Sequence, residues 1–194
     1  MGHREDLLQG AKRCLLEKGW TRTTARDIVA ASGANLASIG YHYGSKDELM
    51  GQAYLALMEE WGQRVAALTK ETGLPDDPVA RRAAMWDAML RGVGENPGFW
   101  QAQLEVISQL GHHEKLKDFF VKAMPMGWEG MLELFEDIPE GAASQELIDS
   151  VGWLYSALFA GMWVQHLISP DRTPSGAVIE ESLRRIVEGK VARG

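Results

Sequence analysis

The sequence predicts an all-α protein of about nine helices, and three observations carry that reading. No stretch alternates β-branched with polar residues as a half-buried strand would. Apolar residues instead recur three and four apart, the spacing of one helix face. Glycine or proline marks the breaks between such stretches, where helices stop.

The elements follow in order. A first helix is expected over Arg4 to Lys18, with Leu7, Leu8, Ala11 and Leu15 on one face and Gly19 as its stop. Thr24 precedes a short helix, Ala25 to Ser32, whose Ile28 and Val29 face inward and which Gly33 ends. Asn35 can cap a third helix, Leu36 to Tyr43, because its side-chain oxygen can accept from amides two or three residues on. Gly44 breaks that helix, and Ser45 caps a long one from Lys46 to about Lys70, with Asp47 and Glu48 favourably placed in its first turn. After a loop at Pro75–Pro78 come Val79 to Gly92, Gly98 to Leu110, Glu114 to Phe135 (interrupted at Pro125), Ser144 to Ile168 and Pro174 to Glu188. Two functional parts are expected: a head, 1–48, and a larger helical body, 49–194.

Composition narrows the function classes. With 45% hydrophobic and 24% charged residues in 194, there is enough apolar surface to offset the ordering entropy of folding. The single cysteine, Cys14, excludes an internal disulfide and a multi-cysteine zinc site. It is expected as a small buried hydrophobe. With no apolar segment opening the sequence, a reducing cytoplasm is the expected location. The formal charge is −7, unevenly spread: residues 1–50 hold seven basic against six acidic side chains, and the rest hold 13 against 21. A head of +1 on a body of −8 suits contact with a polyanion at one end.

The two short helices joined by Ser32-Gly33-Ala34-Asn35 form a helix-turn-helix candidate. The second must lie in a major groove about 12 Å wide, so it has to be short, exposed on one face and fixed by the other. Ile39 and Tyr43 supply the inward face, and Gly33 permits the turn. Spacing alone also fits helical hairpins of enzymes. The residues Gly19-Trp20-Thr21-Arg22-Thr23-Thr24-Ala25-Arg26-Asp27-Ile28, then Ser32 to Ile39, then Tyr41-His42-Tyr43-Gly44-Ser45-Lys46-Asp47-Glu48-Leu49, resemble the TetR family of transcriptional regulators. The match covers about 45 residues, in order and spacing.

That resemblance implies DNA binding and assigns roles. Thr24 matches a phosphate-binding hydroxyl at a helix start, where free amides already favour an anion. Arg26 matches a position that reaches a guanine edge, although it could instead pair with Asp27 or Asp47. Tyr41, His42 and Lys46 match backbone-contacting positions; a solvated helix residue is the alternative for His42. Two departures stand out. Gly40 occupies a position usually held by Tyr, and Leu36 and Ala37 occupy groove-facing positions more often polar or Gly. Leu36 and Ala37 are expected to meet thymine methyl groups, leaving hydrogen-bond readout to Arg26, Asn35 and Ser38.

The remaining residues suggest a ligand site and a dimer. Seven Trp and nine Met are many for this length. Trp86, Met89, Trp100, Phe120, Met124 and Trp128 are expected to line a pocket for a largely apolar small molecule, with Gln103, His112 and His113 as polar contacts. Aromatic residues at helical spacing also fit an ordinary core. Adjacent helical side chains diverge by about 100°, so His112-His113-Glu114 is not expected to hold a metal. No cofactor is expected. Residues 150–170 carry no charge. That length would span a bilayer, but polar interruptions and the lack of a flanking positive cluster argue for burial instead. The family resemblance implies that the last two helices pair with a second copy. Ser156, Ala160, Gly161, Trp163, Leu183 and Ile186 are expected there. Missing nucleophile elbows, zinc motifs and phosphate loops leave an enzyme, or a helical scaffold for another protein, as the rival readings. The expectation is a ligand-responsive homodimeric repressor on a palindromic operator, not an enzyme.

Overall fold

The computed structural model describes residues 3–111 and 114–191. Among them the chain forms nine helices and no strand: α1 His3–Lys18, α2 Ala25–Ser32, α3 Leu36–Tyr43, α4 Lys46–Thr72, α5 Pro78–Glu95, α6 Pro97–Leu110, α7 Glu114–Glu136, α8 Gln145–Ile168 and α9 Gly176–Val187. A widened π turn, Ile148–Gly152, lies inside α8, and a 3₁₀ turn, Pro170–Arg172, precedes α9. The interruption expected at Pro125 does not occur; α7 runs through it. An internal proline costs about 3 kcal/mol. Buried Met131, Leu132 and Phe135 downstream outweigh that, each contributing about 1.5–3 kcal/mol.

The described chain divides into two compact units, Met1–Trp61 with Asn96–Met124, and Gly62–Glu95 with Pro125–Gly194. The first holds α1 to α3, the start of α4, all of α6 and the start of α7. Its core joins Leu7, Ala11 and Leu15 of α1, Ile28 of α2, Ile39 and Tyr43 of α3, and Leu49 and Met50 of α4. Tyr43 donates to the Arg4 carbonyl at 2.6 Å, with the Arg4 guanidinium 5.5 Å from its ring centre. Cys14 is buried, and burial pushes its thiol pKa up. Further along, Tyr54 packs against Phe99 and Phe120, and Trp61 meets Trp100 edge-on at 5.1 Å.

The second unit is built on α5, α8 and α9. Trp86 lies against Phe135 at 4.3 Å, and Phe135 stacks on Tyr155 at 4.4 Å. Glu180 of α9 is only 7% exposed and accepts from Trp86 Nε1 (2.9 Å) and Arg82 Nε (3.1 Å). Asp87 of α5 accepts from the Gly176 amide at 2.7 Å, satisfying a free donor at the start of α9. α9 approaches so closely that a Cβ on Gly176 would stand 1.8 Å from the Ala83 carbonyl oxygen.

Candidate nucleic-acid interface

Local caps assemble the helix-turn-helix. The Thr24 hydroxyl accepts from the Asp27 amide (3.2 Å), while the Asp27 carboxylate accepts from the Thr24 amide (2.8 Å) and hydroxyl (2.7 Å). This reciprocal pair is a capping box, legible in the Thr-x-x-Asp spacing. The other Asp27 oxygen accepts from Lys18 Nζ at 2.6 Å. Lys18, then the Thr24 hydroxyl and amide, hold the Asp27 carboxyl well below the usual carboxylate range. The Thr24 proton is therefore aimed at Asp27. The amides of Ala25 and Arg26 precede the first intrahelical bond and remain for an anion.

Arg26 is exposed, and neither pairing weighed for it forms: Lys18 takes Asp27, and Lys46 takes Asp47 at 3.2 Å. Among the described residues Arg26 has no ion pair. Lys46 also donates to the Thr23 carbonyl at 3.2 Å, tying the start of α4 to the residues before α2.

Gly33 ends α2 in the left-handed region (φ 70°), its amide donating to the Val29 carbonyl at 2.9 Å. α3 then starts from Asn35, whose Oδ1 accepts from both the amide and the hydroxyl of Ser38 at 3.0 Å. Ser38 is 8% exposed. This corrects the expected readout: Ser38 is buried, and the Asn35 oxygen is committed to the cap, because a free helix start needs an acceptor there. Ile39 and Tyr43 face inward as expected. The outward face carries Leu36 (55% exposed), Ala37, Gly40 and Tyr41 (85% exposed). His42 is half-buried, edge-on to Tyr41 at 4.8 Å. Sequence reasoning missed Glu105 of α6, which accepts from the Thr21 amide at 3.2 Å and so holds the segment before α2. No local signal marks a partner 84 residues away.

Comparison with known proteins decides the family. The family model described as "Bacterial regulatory proteins, tetR family" matches residues 7–53, from within α1 into the first turns of α4. A second, "BetI-type transcriptional repressor, C-terminal", matches residues 78–192, more than half of the chain. The chain belongs to the TetR family. Its relatives include the HTH-type transcriptional repressor AcnR of Corynebacterium glutamicum, 31% identical over 110 residues, 55% of this chain and 50% of AcnR. The chain thus spans about half the length of that relative. The HTH-type transcriptional regulator BetI of Brucella canis is 19% identical over 96% of this chain and 92% of BetI. The multidrug binding protein EbrR, solved with imidazole, shares the fold with a TM-score of 0.64 at 17% identity, covering 100% of this chain and 97% of EbrR. The family is one of transcription regulators, not enzymes.

This TetR-family protein distributes the expected ligand residues between its two units. Trp100, Gln103, Phe120 and Met124 belong to the first; Trp86, Met89 and Trp128 belong to the second. Trp86 and Met89 are completely buried, and Trp86 spends its indole N–H on Glu180. They are core side chains of the second unit, which corrects their assignment as pocket lining. Trp100 is likewise fully buried, whereas Met124 is 45% exposed, and Phe120 and Trp128 are half-buried. The Gln103 Oε1 is buried without a hydrogen-bond partner among the described residues. His112 and His113 lie outside the described residues. A groove of about 480 Å³ in the second unit is lined by other residues, among them Met162, Ile168, Arg172, Ile179 and Leu183.

The expected dimer residues also divide. Trp163 is 2% exposed and belongs to the unit's own core, a correction. Ser156 and Leu183 are half-buried; Ala160, Gly161 and Ile186 are exposed. Trp153, Leu154 and Val178 are exposed as well. By length and composition α8 could cross a membrane, with a mean hydropathy of 1.3, and 22% of that window is buried. Within one chain α8 is covered only in part; the burial expected of it is between its own core and a second copy. The BetI-type match, 78–192, contains it.

Proposed function

We propose that this chain is a cytoplasmic, homodimeric transcriptional repressor that binds a near-palindromic operator and releases it when a largely apolar small molecule binds. The observation that carries the reading is α3. It is a short helix fixed by its buried side, capped at its start, and open along Leu36, Ala37, Gly40 and Tyr41. In this reading Arg26 reaches a base edge, while the amides at the start of α2, Tyr41, His42 and Lys46 meet the phosphate backbone. The uncovered apolar residues of α8 and α9 support a second copy as partner, with Ala160, Gly161 and Ile186 in contact. Two-fold symmetry then sets the recognition helices about 34 Å apart.

The unpartnered Gln103 oxygen, in the unit that also holds Phe120 and Met124, supports a small-molecule site with a donor to offer it. Effector binding weakens operator affinity only by as much as the effector prefers the non-binding state. α4, 27 residues and about 40 Å long, begins next to the head and belongs to both units, so it is the element through which that preference is proposed to act. EbrR is described with imidazole and with proflavin, which is consistent with small-molecule binding in this family.

Titration of a fluorescent duplex, recovered by the full chain from a randomised pool, tests the reading. Affinity should fall by orders of magnitude between about 50 and 200 mM salt. Arg26→Ala should weaken binding about 5- to 150-fold, from the roughly 1–3 kcal/mol carried by a bidentate contact to guanine. Salt-independent binding, or an Arg26→Ala protein equal to the parent, would overturn it.

A further inference from the structure

The start of α2 is placed by residues 19–24, a non-helical stretch that three helices fasten. The Cys14 carbonyl of α1 accepts from the Thr23 hydroxyl at 3.2 Å, and Lys46 Nζ of α4 donates to the Thr23 carbonyl at 3.2 Å. The third fastening comes from α6, whose Glu105 Oε2 accepts from the Thr21 amide at 3.2 Å and from the Thr21 hydroxyl at 3.5 Å. Among the described residues no backbone carbonyl takes that amide. Gly19 makes room for the carboxylate: it is left-handed (φ 77°), and a Cβ there would stand 2.6 and 2.8 Å from the two Glu105 oxygens. Any other residue at 19 would push the carboxylate off the turn. Earlier along the same face of α6, a Cβ on Gly98 would meet the Leu16 carbonyl oxygen of α1 at 3.7 Å.

Forming α2 does not call for the Glu105 bond. The capping box lies within Thr24 and Asp27. Thr21 is exposed and Glu105 half-buried, so water can take the place of either partner. What the bond adds is position. Thr21 stands only three residues before Thr24, so holding it against α6 limits where the first turn of α2 can point. That turn carries the free amides of Ala25 and Arg26 and the Arg26 side chain, the groups offered to DNA. A segment ordered beforehand loses less freedom on binding than one that must order at the duplex.

We propose that Glu105 is a positioning residue for DNA binding: by holding residues 19–21 against α6, it presents the start of α2 to the phosphate backbone. This rests on the reading of the α2 start as a phosphate contact. It extends the DNA-binding apparatus to a helix outside residues 7–53, the stretch matched by the tetR family model. The reach of the side chain and its acceptor oxygen do the work, and its negative charge does not. Phosphate contacts carry no sequence information, so the effect of Glu105 is the same on every duplex.

Three variants of the full chain separate reach from charge: Glu105→Ala loses both, Glu105→Asp keeps the charge one methylene short, and Glu105→Gln keeps the reach and an acceptor. Each is titrated with a duplex the parent recovers from a randomised pool and with a scrambled duplex. Glu105→Ala and Glu105→Asp should bind both duplexes about three- to tenfold more weakly, the scale of one hydrogen bond partly replaced by water. Glu105→Gln should restore binding to within about twofold of the parent on both. Thermal melting should show every variant fully folded at the assay temperature. In the free protein, hydrogen exchange at the Thr23 amide, which Glu105 does not touch, should be faster in Glu105→Ala and Glu105→Asp and at the parent rate in Glu105→Gln. The proposal is overturned if Glu105→Ala binds as the parent does, if Glu105→Gln is as weak as Glu105→Ala, or if the loss is confined to the recovered sequence. A loss that melting accounts for as unfolded protein, or unchanged exchange at Thr23, overturns it as well. A parent that retains no duplex defeats the DNA-binding reading itself; a parent that binds beside an unaffected Glu105→Ala defeats this proposal alone.

Discussion

The helix-turn-helix and the α5–α9 pair are held together by opposite means. In the head each start is fixed from three residues away: Thr24 with Asp27, Asn35 with Ser38, and Ser45 with Glu48. α9 is fixed by residues 89 to 98 positions distant: Asp87 on the Gly176 amide, and Trp86 and Arg82 on Glu180. Local caps set geometry at the surface, where solvent can substitute for a lost partner. Long-range contacts set it in the interior, where a lost partner leaves a polar group stranded. The two regions should therefore respond very differently to single changes.

Gly176→Ala should give the largest effect. Its Cβ would stand 1.8 Å from a backbone oxygen, and a carbonyl inside α5 cannot turn away as a side chain can. Overpacking usually costs about 1–3 kcal/mol, so a loss at or above the top of that range is expected in denaturant unfolding. A loss below about 1 kcal/mol would show that α9 can shift, and would break the contrast between the two regions.

Glu180→Ala comes next. It leaves Trp86 Nε1 without its acceptor and the Arg82 guanidinium with only Glu136, at 3.9 Å. Breaking a buried ion pair costs about 3–5 kcal/mol. With the Arg82 side chain 23% exposed, solvent should reduce that to about 2–3 kcal/mol. Glu180→Gln keeps an acceptor for Trp86 and should cost about half as much. Equal losses for the two variants would mean that charge, rather than the stranded indole, dominates.

The smallest effect belongs to the head and appears only in acid. The Asp27 carboxyl is held below its ordinary value in the folded state. Its stabilisation is therefore complete above the unfolded value of about 4 and is lost as pH falls from there toward the lowered folded value. Asp27→Asn should consequently be less stable than the parent at pH 7, with the gap closing toward pH 2. A gap independent of pH would place the contribution in the cap geometry rather than the charge.

The same contrast explains what the sequence disclosed. The bounds of α2 and α3 follow residue by residue from Thr24, Gly33, Asn35 and Gly44, because caps act over three or four positions. Ile39, Tyr43 and Cys14 were legible as core for the same reason. Ser38 was not, since a hydroxyl three residues after a capping Asn serves a cap or a ligand equally well, and only burial separates the two. Glu180 reads as one more charge on an amphipathic helix until α5 brings Trp86 and Arg82 to it. Trp86, Met89 and Trp163 read equally as pocket, interface or core, because an apolar period shows that a face is covered and not by what. The continuity of α7 through Pro125 rested on burial further along the helix, which a proline rule applied locally does not weigh.

The central claim is that two copies of this chain present α3 to successive major grooves on one face of a duplex. Hydroxyl-radical footprinting of the full chain on a duplex recovered from the randomised pool tests it directly. The account predicts two protected tracts on the same face, centred about one helical turn, roughly 34 Å, apart, and lost together in Arg26→Ala. A single tract of protection, or none at concentrations where the duplex is bound, would contradict it.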